Sequence, residues 1–207
     1  MRLLVLRALG LGDLLTAVPA LRALRAAHPG ATVVVAAPAA LATLLGDLVD
    51  EVLDVSWVRG VPAGARLPVE PPDLAVNLHG RGPQSTEVLQ ALHPGRLVSY
   101  GVTSTWRDDE HEVHRWCRLL EEAGVPADPR ALHLPPLDDE PLVRGAVVVH
   151  PGAAMPSRRW PVERWAEVAR RLPGPVVVTG GPDEVELAHE VAHARPGATV
   201  LLSLIHI

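Results

Sequence analysis

The sequence predicts an α/β protein built on mainly parallel sheets, and three observations predict it. Short β-branched or leucine-rich runs alternate with longer amphipathic ones, the βαβα order in which crossover helices join parallel strands. The alternation stops at residues 125–145, VPADPRALHLPPLDDEPLVRG, a Pro- and Asp-rich stretch without sustained period that marks a linker, and then resumes. Gly-bearing polar loops follow four of the strand candidates, at the strand ends where open α/β sheets bind ligands.

Taken in order, RLLVLRA is the first strand and residues 13–27 the first helix. Leu14, Val18, Leu21 and Leu24 share one helical face, Arg22 and Arg25 leave it, Pro19 should kink it and HPG at 28–30 should stop it. ATVVVAA is a second strand before another helix; EVLDV, DLAVNL and RLVSY are further strands, and a helix over 108–124 ends at Gly124. Beyond the linker, AVVVH precedes a helix at 161–172, PVVVTG precedes one at 183–194, and ATVLL is a last strand. Trp165, Val168, Ala169 and Leu172 form the buried stripe of the first of these helices, with Pro161 in its first turn. The expected domains are therefore 1–125 and 146–207, joined by a linker at 126–145.

With 48% apolar and 21% charged residues, 207 residues can build ordinary globular cores. All 19 basic residues are arginine, scattered through a chain of net charge -5; this argues against a nucleic-acid partner or a polybasic membrane patch, so any anion site must be local. The lone Cys117 excludes an internal disulfide and points to a reducing compartment, where it packs as a small hydrophobe. Arg7 and Asp13 interrupt the apolar opening before it reaches signal-peptide length, so the expected location is cytoplasmic.

The four marked loops are ALGLGD (8–13), HGRGPQS (79–85), HPGAAMPSRR (150–159) and TGGPDE (179–184). Two lie in each half, and edge-to-edge docking of the halves would aim them at one cleft. Gly10 and Gly12 let backbone amides approach a ligand, but Leu15 stands where a dinucleotide fingerprint needs Gly or Ala. Asp13 begins a helix, as a cap, as an ionised carboxylate able to take a proton from a hydroxyl, or as both. Arg158 and Arg159 precede a helix N-terminus that offers free amides to a phosphate, while Gly152, Thr179, Gly180 and Gly181 flank the same strand ends. His79 and His150 sit at strand ends as capped structural histidines or acid–base groups, and Arg81 follows His79. HEVAH, His189 to His193, matches a zinc-protease pattern, but Pro196 and Thr199 occupy the extension's Gly and His positions. Both histidines also fall on the polar side of a helix whose Leu187, Ala188 and Val191 face inward, so no metal is expected.

In combination, LRALGLGDLLTAVPALRALRAAHPGATV, PDLAVNLHGRGPQST, HPGAAMPSRRWPVERWAEVARRL and VVVTGGPDEVELA resemble the family-9 glycosyltransferases, the heptosyltransferase-like enzymes. The resemblance spans nearly the whole chain. It implies a GT-B-like architecture of two Rossmann-like domains, the first holding mainly the acceptor and the second the nucleotide-sugar. It implies inverting, metal-independent transfer of a sugar, heptose among the candidates, from an ADP- or other NDP-sugar to a hydroxyl of a cell-envelope glycan or glycolipid such as lipopolysaccharide. No cofactor is implied, since the nucleotide-sugar is a substrate. Asp13 matches the family's general base, and Arg158 falls where members carry a phosphate-binding Lys or Arg, with Arg159 beside it. Gly152, Thr179, Gly180 and Gly181 then belong to the nucleotide-sugar loops, and Gly10, Gly12, His79 and Arg81 to the acceptor side. A glycolipid acceptor implies peripheral association with the inner membrane face.

The sequence departs from the family at its end. Only 62 residues run from Ala146 to Ile207, against about 100 to 150 for a typical domain. The family's later Asp-Thr-Gly and His motif is absent. The second domain is therefore expected to be incomplete, and the chain an inactive fragment. Two other readings stay open: a noncatalytic nucleotide- or partner-binding α/β module, and a zinc hydrolase acting through His189, Glu190 and His193.

Overall fold

A computed structural model describes residues 1–55, 66–134, 140–153 and 155–202. Expectations that fall on residues 135–139, residue 154 and the closing five residues lie outside the described residues. The chain divides into two compact units, Met1–Pro135 and Pro136–Ile207.

In the first unit, the apolar runs form five parallel strands: β1 (Arg2–Leu6), β2 (Thr32–Ala37), β3 (Glu51–Asp54), β4 (Leu74–Asn77) and β5 (Arg96–Val98). Their spatial order is β3-β2-β1-β4-β5. The chain thus winds outward from β1 in one direction and from β4 in the other, and the crevice between β1 and β4 is the topological switch point of a doubly wound sheet.

Alternation along the strands sends side chains to two faces. Leu3, Val5, Val33, Val35 and Val76 pack against Leu14, Leu21 and Leu24, and against Trp116, Leu119 and Leu120 of α4 (Glu112–Glu122). Leu4, Leu6, Val34, Ala36 and Ala75 pack on the other face with Val88 and Leu89 of α3 (Gln84–Gln90). Both faces being covered explains why these strands read as continuous apolar runs. Cys117 is buried on α4, and burial first, then the charges of Glu121 and Asp128, pushes its thiol up to about 11. It packs as a small hydrophobe.

Several local expectations need correction. The first helix is two helices, α1 (Leu11–Thr16) and α2 (Val18–Ala27), and it starts two residues early. Pro19 stands in the first turn of α2, where its missing N–H costs nothing. No α-helix follows β2. The segment forms 3-10 turns at Ala39–Leu44 and Gly46–Leu48, because Gly46 adopts φ +44 and breaks the helical path while Leu41, Leu45 and Leu48 still reach the core. The last helix of this unit starts at Glu112, with the His111 ring accepting from the Val113 N–H, and Gly124 ends it in the left-handed region at φ +89.

The second unit holds β6 (Val147–Val149), β7 (Val176–Thr179) and β8 (Thr199–Leu201) in a parallel sheet of order β6-β7-β8. Val149, Val176 and Val178 pack with Ala169 of α5 (Val162–Arg171) and with Ala188, Val191 and Ala192 of α6 (Val185–His193). Of the expected α5 stripe only Ala169 is fully buried; Trp165 and Leu172 pack at the margin, and Pro161 is the residue before the helix. Val148, whose neighbours on its strand point the other way, is 50% exposed, and Leu142 is 71% exposed.

Trp116 has no exposed surface, and removing so large a core side chain costs about 3–5 kcal/mol. Trp116→Ala should strip hydrogen-exchange protection from the amides of β1, β2 and β4. Unchanged protection there would show that this face does not hold the sheet together.

Candidate functional site

The switch point of the first unit is closed by one buried charge. Arg7, the first residue past β1, has no exposed side chain. Its Nε donates to the Asp13 carbonyl at 2.8 Å, and one terminal nitrogen donates to the Leu78 carbonyl, just past β4, at 2.5 Å. The other terminal nitrogen donates to Thr16 Oγ1 at 2.9 Å and to Glu112 Oε2 at 2.6 Å. The guanidinium carbon also lies 4.9 Å from the centroid of the Trp116 ring system. A buried arginine is tolerated when its fork is satisfied in this way. Here the fork ties the β1 loop, the β4 loop, α1 and α4 together.

Asp13 sits above that guanidinium, its Oδ1 3.9 Å from an Arg7 nitrogen and its side chain 47% exposed. Gly10, not Asp13, is the N-cap of α1, and Asp13 makes no capping hydrogen bond. The cap reading is therefore corrected: Asp13 is the third helical residue, its main-chain carbonyl held by Arg7 and Thr16 while its carboxylate faces partly into solvent. Gly12 lies inside α1, with open space where a Cβ would stand.

His79 lies on the opposite lip, beyond β4. Its backbone N–H donates to Asn77 Oδ1 at 3.0 Å, while its ring Nδ1 is buried without a hydrogen-bond partner. Burial first, then the charge of Arg7, lowers its pKa, with Asp13 opposing; the neutral imidazole is favoured. Glu112 is pushed up by burial, but the hydrogen bond and charge of Arg7, with help from Thr16 and Arg115, hold it below the ordinary carboxylate range. Arg81 is exposed farther along the same loop, 4.0 Å from Asp108.

In the second unit, the loops after β6 and β7 meet around Glu184. Its Oε2 accepts from the Gly181 N–H at 2.9 Å, and its carboxylate lies 4.0 Å from both His150 Nε2 and an Arg159 terminal nitrogen. The Glu184 carboxyl group lies where a Cβ on Gly152 would stand, so any side chain there would have to displace it, and Gly180 is tight against Ala188 and Glu184. Arg159 Nε donates to the Ala153 carbonyl at 2.8 Å, so its guanidinium is aimed over this cluster. Arg158 closes a 3-10 turn at Pro156–Arg158 and is exposed. Thr179 is fully buried, its hydroxyl engaged with His150 Nδ1 at 3.0 Å; it braces the strand ends and does not open to solvent.

His189, Glu190 and His193 are exposed on α6 while Ala188 and Val191 face inward. Among the described residues no three His, Cys, Asp or Glu side chains converge as a metal-holding group, and no helix is long and apolar enough to cross a membrane.

Sequence reasoning missed Arg7, Glu112 and Glu184 as site residues. Arg7 left one signal, a charge set between the apolar run LLVL and a glycine loop. Glu112 left none, because its partner is 105 residues away.

No protein-family model and no curated protein matches the chain. Solved structures do. A glycosyl transferase family 9 structure from Veillonella parvula DSM 2008 matches with TM-score 0.73 at 21% identity, over 99% of this chain and 70% of that one. E. coli ADP-heptose lps heptosyltransferase II matches with TM-score 0.71 at 19% identity, over 98% of this chain and 72% of that one. E. coli heptosyltransferase WaaC with ADP gives 0.67 at 19% identity, over 99% and 76%. The chain has the α/β, GT-B-like fold of these glycosyltransferases.

The lowered pKa values set a pH dependence. Unfolded His79 takes up a proton near pH 6.5 and folded His79 resists it, so stability falls as pH drops below that value. Glu112 contributes stability above the ordinary glutamate pKa, and it is lost as pH falls through the lower folded value. His79→Asn should flatten the upper limb of a plot of urea midpoint against pH and leave the lower limb in place. An unchanged upper limb would mean that His79 protonates freely in the folded state.

Proposed function

We propose that the chain carries the machinery of an inverting glycosyltransferase that moves a sugar from a nucleotide-sugar, ADP-linked or another NDP-sugar, to a hydroxyl of a cell-envelope glycan or glycolipid. The observation that supports this reading best is the Asp13 carboxylate, half-exposed at the switch point and backed by a buried arginine. Structures of the same fold include WaaC with ADP and with ADP-2-deoxy-2-fluoro heptose.

In this mechanism the acceptor oxygen attacks the anomeric carbon as the bond from that carbon to the diphosphate oxygen breaks. The hydroxyl proton passes to Asp13, and the bonding pair leaves with the nucleoside diphosphate. Arg7 holds the carboxylate's helix in place without meeting the substrate. His79, kept neutral, adds no competing cation beside the base. In the second unit, Arg159 and Arg158 meet the diphosphate, with the glycines at 152, 180 and 181 letting backbone approach it. No metal or cofactor enters this reading. The protein works in the cytoplasm, peripheral to the inner membrane face where a glycolipid acceptor resides.

Asp13→Asn keeps the shape of the side chain and removes no capping bond, so melting should hardly change. Turnover, measured with a panel of NDP-sugars and envelope glycans on a version extended to the length of the solved structures, should fall by about a hundredfold or more, the scale of general-base loss. In the same extended version, Arg158→Ala and Arg159→Ala should each weaken ADP binding by about tenfold to a hundredfold, as for a charge-assisted phosphate contact. Wild-type turnover by Asp13→Asn would remove the base from this mechanism, and unchanged ADP affinity would remove the arginines.

A further inference from the structure

Two histidine pairs lie on exposed helix surface, and their hydrogen bonds distinguish them. His111 and His114 stand three residues apart at the start of α4, with ring centroids 6.3 Å apart. The His111 Nδ1 accepts from the Val113 N–H at 3.3 Å, so the neutral ring carries its proton on Nε2 and has no lone pair to offer there. His189 and His193 stand four residues apart on α6, and this pair is wired the other way. The His193 Nδ1 lies 3.3 Å from the His189 carbonyl oxygen. A carbonyl only accepts, so in the neutral ring Nδ1 is the protonated nitrogen and Nε2 keeps its lone pair. An imidazole that donates through one nitrogen to a backbone carbonyl and presents the other is the form that metal-bound histidines take.

Residues i and i+4 are neighbours on one face of a helix, and imidazoles at that spacing make a chelating pair. Glu186 precedes His189 by three residues and Glu190 precedes His193 by three, so ELAHEVAH is one four-residue unit written twice, with all four polar side chains exposed. The two carboxylates, and the negative end of the helix dipole at His193, the last residue of α6, favour a cation. Arg195 lies nearby, but its guanidinium is engaged with the carbonyls of Gly174 at 3.0 Å and Arg170 at 3.4 Å. The stripe is not a preassembled cage, since no three ligand-type side chains converge among the described residues. It is a two-point chelate whose other positions are left to water. An open hollow of about 510 Å³ beside the imidazoles, walled by Pro196, Gly197 and Val200, has room for that water.

We infer that His189 and His193 hold one divalent transition-metal ion, zinc(II), nickel(II) or copper(II), through their Nε2 atoms. Imidazole nitrogen suits these ions, whereas magnesium and calcium prefer oxygen. The site lies at the far end of α6 from Glu184 and does not depend on the glycosyltransferase reading.

The test is a zinc(II) titration of the whole chain at neutral pH, followed by calorimetry and by ¹⁵N NMR of the histidine rings. Before metal is added, His193 should show the Nδ1–H tautomer and His111 the Nε2–H tautomer. One equivalent should then bind with a Kd on the order of micromolar and move the Nε2 signals of His189 and His193. His189→Gln and His193→Gln should each weaken binding at least about tenfold, since even an outer-shell partner of a metal ligand is worth about that much. His111→Gln should leave the affinity unchanged, and magnesium(II) should not compete. The substituted side chains are exposed, so melting without metal should hold in all three variants. Failure to bind one equivalent, full affinity in either α6 variant, or loss of affinity in His111→Gln would overturn the inference.

Discussion

The first unit depends on a single buried guanidinium. A doubly wound sheet leaves a crevice where its two halves diverge, and the backbone carbonyls at the ends of the two central strands point toward it. Arg7 fills that position, donating to a carbonyl beyond β4, to one within α1 and to a carboxylate on α4. Desolvation pulls its pKa down and Glu112 supplies the counterweight. Taking the Arg7 charge fully and the Glu112 charge partly out of water offsets much of their attraction, so the pair is worth little as net stability and much as geometry. What it fixes is the height of Asp13 above the crevice and the electrostatic setting of His79.

The second unit solves a different problem with smaller parts. Two glycine loops and a helix start converge on Glu184, whose carboxylate satisfies the Gly181 amide and draws Arg159 and His150 to within 4.0 Å. Gly152 leaves room for that carboxylate, which occupies the space where its Cβ would stand. Buried Thr179, bonded to the exposed His150 ring, braces the strand ends beneath. The result is a platform from which Arg159 projects, with Arg158 exposed beside it.

Much of the fold was legible because it rests on local pattern. The apolar runs became strands, Leu14, Leu21 and Leu24 became a buried stripe, and Gly124 ended its helix, each for a reason contained within a few residues. The failures involve information that is not local. An alanine- and leucine-rich segment after β2 reads as an α-helix, yet Gly46 and the short return to β3 give 3-10 turns. The helix at 84–90 was hidden behind its polar loop. Asp13 reads as a possible cap, yet the true cap is a glycine with no side chain to announce it. Arg7 read as an interruption of an apolar run, because the carboxylate and one of the two carbonyls that justify it come from distant segments.

The central claim is that Arg7 and Glu112 act as one unit organising the crevice around Asp13, and a double-mutant cycle measures it most directly. Unfolding free energies of wild type, Arg7→Leu, Glu112→Gln and the double variant give the coupling between the two side chains. The account predicts a coupling of about 1.5–3 kcal/mol, the double variant losing clearly less than the sum of the single losses because each single change leaves buried Arg7 or half-buried Glu112 without its partner. Additive losses, within about 0.5 kcal/mol, would contradict it and leave Arg7 as a separate anchor that does not need Glu112.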